Sequence, residues 1–183
     1  MSVLTPPVSA DDHSAGSNDA LVTLVEYGDY ECPHCGAAYP VVQEIRRIVG
    51  PNLRFIFRNF PLAQIHPHAQ HAAEAAEAAG AQGEFWGMHD LLFENQDALE
   101  DPDLLRYAAA LSLDQERFTK ELSSGVYADR VRRDFRSGVK SGVNGTPTFF
   151  INGVRHDAPW DLPTLFAAVE AAAATPADGR RSR

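Results

Sequence analysis

Cys32-Pro33-His34-Cys35 limits what this chain can fold into more than any other stretch. The chain has 183 residues and only these two cysteines. A structural disulfide framework needs several separated cysteines, and a closed zinc site needs four ligands. Two sulfurs with two residues between them suit a different chemistry. They can close a tight disulfide, open it and pass electrons on. The apolar, β-branched run Leu21-Val22-Thr23-Leu24-Val25 lies just ahead, and Gly28-Asp29-Tyr30 breaks it. Pro33 suits the first position of a helix. The motif therefore sits where a buried strand turns into a helix.

The rest of the chain extends that pattern. The spacing predicts a strand over Leu21–Glu26, a helix over Pro33–Val49 kinked at Pro40, and a strand over Leu53–Phe60. From Pro67 to Ser141 no strand pattern occurs. Alanines 72, 73, 75, 76, 78 and 79 favour a helix that Gly80 stops. Helical spacing continues through Phe85, Met88, His89 and Leu92, then Leu104 and Ala108, Phe118 and Leu122, and Val131 and Phe135. Strand character returns at Thr148–Ile151. Asn152-Gly153 marks a hairpin into Val154–His156, and a last helix carries Leu162, Leu165, Phe166 and Val169 behind an Asp161 cap. The order is βαβ, a helical stretch, then ββα.

Composition excludes some partners. The formal charge is −9 and 22% of residues are charged, with 44% hydrophobic. An acidic balance argues against nucleic acid and anionic membrane, which reward clustered Lys and Arg. The one basic run, Arg180-Arg181-Ser182-Arg183, reads as a solvated tail. No stretch approaches the ~20 apolar residues of a membrane span. The N-terminus has neither a basic n-region nor an apolar h-region. A cytoplasmic location and a monomer are expected, with a periplasmic or extracellular location if a signal has been removed.

The chemistry follows from position. Cys32 would begin the helix, where unpaired N–H groups and the positive end of the dipole favour a thiolate. It is the expected nucleophile, with Cys35 one turn further in as the resolving thiol and His34 between them as a tuning neighbour. Glu26 is an acid inside an apolar run and needs a reason to be there. A partly buried carboxylate relaying a proton to or from Cys35 would supply one; a strand-end residue reaching solvent is the simpler alternative. In Gly145-Thr146-Pro147-Thr148 the proline belongs at the start of a strand. Base rates favour a trans bond before it.

Glu26, Cys32-Pro33-His34-Cys35 and Gly145-Thr146-Pro147-Thr148-Phe149 together resemble the DsbA-like branch of the thioredoxin superfamily. The likeness covers roughly residues 20–174 and includes the helical stretch and the closing hairpin and helix. It implies an α/β thioredoxin-like fold, a central mixed sheet flanked by helices, with an all-helical insertion. Residues 21–63 and 142–174 would form the discontinuous thioredoxin-like domain and 64–141 the insertion. Residues 1–20 would be a loose lead-in and 175–183 a disordered tail. It further implies that Cys32 is the nucleophile, that Pro147 is cis and packs beside the sulfurs, and that Thr146 offers backbone to a polypeptide. The expected activity is thiol–disulfide exchange with protein disulfide or dithiol substrates and a redox partner, with no separate cofactor and no metal. Typical members are exported, so a cytosolic setting puts the physiological direction in question rather than the chemistry.

Two other functions compete: a glutathione-dependent transferase or isomerase on the same scaffold, and a non-enzymatic metal or redox sensor. His66, His68 and His71 suggest a metal site, yet no nearby ligand completes a shell, and capping, packing or a groove rim is favoured. His89 reads as a core histidine, and Phe85, Trp86 and Phe93 as core. Tyr27, Tyr30, Phe60, Pro61 and Leu62 could line an apolar groove or be ordinary core. Glu31 reads as solvated, and Glu74 and Glu77 as a solvated helix face.

Overall fold

A computed structural model describes residues 2–175. Five strands form one mixed sheet: β1 (His13–Ala15), β2 (Val22–Gly28), β3 (Leu53–Asn59), β4 (Thr148–Ile151) and β5 (Val154–His156). They lie in the order β1-β3-β2-β4-β5. Only β2 and β3 run parallel, joined through helix α1 (Pro33–Val49). Helices α2 (Ala69–Gly80), α3 (Phe85–Glu94), α4 (Asp101–Ala110), α5 (Gln115–Ser124) and α6 (Ala128–Lys140) occupy the chain between β3 and β4, and α7 (Leu162–Ala174) follows β5.

The two-residue period of the strands sorts their side chains between two cores. Val22 and Leu24 of β2, Phe55 and Phe57 of β3, and Phe149 and Ile151 of β4 join one cluster with Cys35, Ala38, Val42 and Ile45 of α1 and Leu165 and Val169 of α7. Val25 and Tyr27, Ile56 and Phe150 enter the other, against Leu4, Phe60 and Val143. The same alternation puts Glu26 on the Leu24 face, the side covered by α1. α1 buries Cys35, Ala38, Val42 and Ile45, one stripe of a helix. Each fully buried large aliphatic or aromatic side chain contributes about 1.5–3 kcal/mol of transfer free energy, so the strand–helix junction is held from both sides.

The N-terminal segment is not a loose lead-in. β1 pairs antiparallel with β3, His13 opposite Phe57 and Ala15 opposite Phe55. Val3 bridges to Val154, and Leu4 is buried. The physical reason is the sheet edge: without β1 the outer side of β3 would present unpaired N–H and C=O groups. An ion pair of Arg58 Nε with Asp12 Oδ1 at 2.7 Å pins the segment. The Arg180–Arg183 run and the expected tail from 176 onward lie outside the described residues.

Glu74 and Glu77 are not a solvated face either; both are 5% exposed. α2 is so rich in alanine that neighbours pack on nearly all sides of it. Glu77 then accepts from Asn59 Nδ2 and pairs with His13 Nε2, both at 2.8 Å. Glu74 accepts from Gln70 Nε2. His89 is buried in the aromatic core, its Nδ1 3.1 Å from the Tyr30 hydroxyl, and burial with Arg46 and His13 nearby pushes its pKa down to about 3. Tyr27, Tyr30, Phe60 and Pro61 are buried, as ordinary core would be; Leu62 is half-buried.

Candidate active site

Cys32 is the N-cap of α1, with extended backbone (φ −72°, ψ 121°) and Pro33 at the first helical position. Proline lacks the N–H that would be orphaned there, so the helix starts without loss. The next N–H groups, those of His34 and Cys35, face the sulfur of Cys32. Pro33 and His34 lie nearer the surface, and Cys35, one turn in, is wholly buried. Cys32 keeps only 3% of its surface. Both cysteines are free thiols.

The second wall comes from far along the chain. The Thr146–Pro147 peptide is cis. It sits immediately before β4, where the missing proline N–H costs no ladder bond. Cys32 Sγ lies 3.5 Å from Thr146 O across a sequence separation of 114. Thr146 Oγ1 is buried and has no partner in the reduced protein. Thr148 Oγ1 donates to Gly145 O at 2.7 Å and closes the loop.

These surroundings split the two thiols. Cys32 is brought down to about 5: a hydrogen bond from the Cys35 thiol outweighs burial, helped by Thr146 and the N–H groups of Cys35 and His34. Cys35 is pushed up, by burial first, then by its bond to Cys32 and the charge of Glu26. Glu26 is 2% exposed, and its Oε1 is buried without a hydrogen-bond partner. Burial, and then the Cys32 charge, push it up to about 8. A carboxyl group that titrates near neutrality beside two sulfurs can take or return a proton.

Several residues that build the site carry no motif signal. The Asp29 carboxylate is buried and accepts from Glu31 N and Leu62 N at 2.8 Å and meets His66 Nδ1 at 2.7 Å. Asp29 N donates to Cys35 Sγ at 3.5 Å. Gln96, just after α3, donates from Nε2 to Tyr30 O and Cys32 O at 2.8 and 2.9 Å. Glu31 is not simply solvated: its Oε2 accepts from His68 N at 2.6 Å. The three histidines diverge, His66 to Asp29 and His71 to Asp101. Among the described residues no group of three or more His, Cys, Asp or Glu is placed to hold a metal ion. The Asp29-Tyr30 break was legible only as a turn.

Residues 9–171 match a family model described as thioredoxin. Among solved structures, oxidised BdbD from Bacillus subtilis superposes with a TM-score of 0.82 at 25% identity, covering 95% of this chain and 99% of that one. A thioredoxin-like oxidoreductase from Silicibacter pomeroyi gives 0.80 at 27% identity, over 91% and 95%. α-DsbA1 of Wolbachia pipientis, at 22% identity and a TM-score of 0.77, shares the fold over 91% and 93%. By sequence the chain is 48% identical over 173 residues to a protein named Na(+)/H(+) antiporter NhaA 3 of Salinispora tropica, covering 94% of this chain and 26% of that protein. The chain thus spans about a quarter of the length of the curated relatives it matches. Among the described residues no helix is long and apolar enough to cross a membrane. A mixed sheet of this order, a Cys-x-x-Cys pair at the head of α1 and a family match across nearly the whole chain lead to one assignment: the chain belongs to the thioredoxin family.

Proposed function

We propose that this protein is an enzyme that exchanges disulfides with protein substrates through Cys32 and Cys35. The observation that carries the reading is the inequality of the two sulfurs: one at a helix N-terminus and brought down to about 5, its partner buried and pushed up.

In the reducing direction the Cys32 thiolate attacks one sulfur of a substrate disulfide. The substrate S–S bond breaks, a mixed disulfide forms and one substrate thiolate leaves. Glu26 takes the proton of Cys35, whose sulfur then attacks Cys32, and the second substrate sulfur leaves. The substrate gains two electrons and Cys32–Cys35 becomes a disulfide. The oxidising direction is the same path reversed, with Glu26 returning the proton. Thr146 and Pro147 border Cys32 and offer the backbone edge against which an extended polypeptide would lie. His34 is the neighbour at the surface that meets it. A thiolate stabilised in the reduced form makes the corresponding disulfide more oxidising. No separate cofactor enters, because the electrons reside on sulfur.

The buried Cys35 with Glu26 on its face favours exchange over single-thiol conjugation to glutathione, which needs neither. Sodium/proton antiport stays with the relatives of which this chain spans about a quarter. A cytoplasmic setting would hold the pair reduced and an oxidising compartment would hold it closed, so the redox state trapped by alkylation in cell extracts reads the working direction.

Insulin reduction and oxidative refolding of a reduced substrate test the activity. Cys32→Ser should abolish both, and Cys35→Ser should accumulate a mixed disulfide through Cys32. A wild-type protein whose two thiols never form a disulfide, or a Cys32→Ser variant of full activity, would overturn the reading.

A further inference from the structure

One ion pair at the redox turn, buried on its Asp29 side, has no part in these exchange steps. Asp29 lies in the turn between β2 and the motif, and its carboxylate gathers the loop after β3 by two contacts, Leu62 N and His66 Nδ1. Its own backbone faces the motif: its N–H points to Cys35 Sγ, and its C=O accepts from Cys32 N at 3.2 Å. The Glu31 to His68 bond ties the same two segments a second time. His66 is thereby held against the redox turn with its side chain 16% exposed.

His66 Nδ1 meets Asp29 at 2.7 Å, and Asp29 in turn accepts from Glu31 N and Cys32 N, so the charges of the turn that holds His66 are those of Asp29, Glu31 and, at the head of α1, Cys32. Burial alone would lower its pKa, but the Asp29 hydrogen bond and charge, then the charges of Cys32 and Glu31, carry it up. Two of these three groups are the same in both redox states. The third is not: Cys32 is a thiolate in the dithiol and neutral in the disulfide. Whatever part of the attraction comes from Cys32 therefore appears on reduction and vanishes on oxidation.

We propose that His66, held by Asp29, is a positioning residue of the redox centre: it holds a cation against the turn that carries the Cys32 thiolate and takes up protons when the disulfide is reduced. The inference rests on the exchange reading. Two electrons from an external dithiol, which itself closes to a disulfide and releases its protons, break the Cys32–Cys35 bond; Cys35 takes up one proton, Cys32 is left a thiolate, and His66 gains a further fraction of a proton. By reciprocity, protonation of His66 stabilises the thiolate by the same free energy with which the thiolate stabilises the imidazolium.

The test is a titration of the assigned His66 imidazole by NMR in the intact protein, once reduced with dithiothreitol and once oxidised. The midpoint should lie at higher pH in the reduced protein; equal midpoints would overturn the inference. The titration needs no variant, so it holds even if substitution impairs folding. A second readout is the ultraviolet absorbance of the Cys32 thiolate. His66→Gln should leave about two- to tenfold less thiolate relative to thiol at the wild-type midpoint, and His66→Lys should restore it. Unchanged Cys32 titration in His66→Gln would reduce the Asp29 contact to loop packing and sink the proposal. Failure of the wild type to form the disulfide at all would sink the exchange reading instead, so the two failures are distinct.

Discussion

A single amide nitrogen of Gln96 serves both Tyr30 and Cys32: it lies 2.8 Å from the carbonyl oxygen of the first and 2.9 Å from that of the second. The helical stretch between β3 and β4 thus grips the redox turn directly. Gln96→Ala should cost about 1–3 kcal/mol in denaturant unfolding, since the Tyr30 carbonyl loses its donor. A Cβ at Gly36 would meet Gln96 Oε1 at 1.9 Å, so Gly36→Ala must displace the same amide. In the wild type Gly36→Ala should destabilise. In the Gln96→Ala background it should instead stabilise by about 1 kcal/mol, the helix propensity gain of alanine over glycine. Additive effects in the double-mutant cycle would refute the clamp.

The pH dependence of stability has opposite signs for the two acids at the site. Cys32 falls from 9.0 unfolded to about 5 folded. Folding favours its charged form, so its contribution is complete above pH 9 and lost as pH falls through 5. Glu26 rises from 4.5 to about 8. Its contribution is complete below pH 4.5 and lost as pH rises through 8. In the reduced protein Cys32→Ser should remove the alkaline gain and Glu26→Gln the alkaline loss, read from urea midpoints between pH 4 and 9. The disulfide form carries no Cys32 charge and should lack the first effect. A reduced Cys32→Ser protein with the wild-type slope would contradict this.

Glu26→Gln should also slow the step in which Cys35 resolves the mixed disulfide. A proton acceptor worth about 10²–10⁴-fold elsewhere sets the scale, with little change in the first attack by Cys32. Stopped-flow kinetics with a fluorescent disulfide substrate separates the two phases. Equal slowing of both would point to a packing defect instead.

Thr146 Oγ1 is a buried hydroxyl without a partner while Cys32 is a thiol. Ionisation of the sulfur gives it an acceptor. Thr146→Val keeps the shape and removes the donor, so Cys32 should titrate higher, with about three- to tenfold less thiolate at pH 5. The rate of iodoacetamide alkylation against pH gives the midpoint. An unmoved midpoint would leave the hydroxyl without a role.

Glu77→Ala should be among the most damaging changes outside the redox turn. It leaves the Asn59 amide without its shorter partner and removes a carboxylate 3.8 Å from Arg130 Nε. Loss of one member of a buried charged network costs about 3–5 kcal/mol, read as a large fall in melting temperature. A shift typical of a solvated helix face, under about 0.5 kcal/mol, would return Glu77 to the surface role suggested by its spacing.

Local chemistry was legible in the amino-acid order: an apolar run, a break, Cys-Pro-His-Cys with proline at the helix start, Asn152-Gly153 between two short strands, Asp161 ahead of α7. Each of these acts within a few residues, where period, turn type and helix ends are dictated by the backbone. What the chain order by itself could not reveal are meetings between distant segments; the Thr146-Pro147 wall beside the sulfurs was expected only through the family resemblance. Thr146 reaches Cys32 over 114 positions, and His66 reaches Asp29 over 37. Neither pair shares an element or a spacing rule. β1 exists because β3 has an edge to cover, and Glu77 is buried because alanine on every side lets neighbours close over α2. Packing of the whole decided these, since an acid or a histidine gives no local sign of which partner a folded neighbour will bring to it.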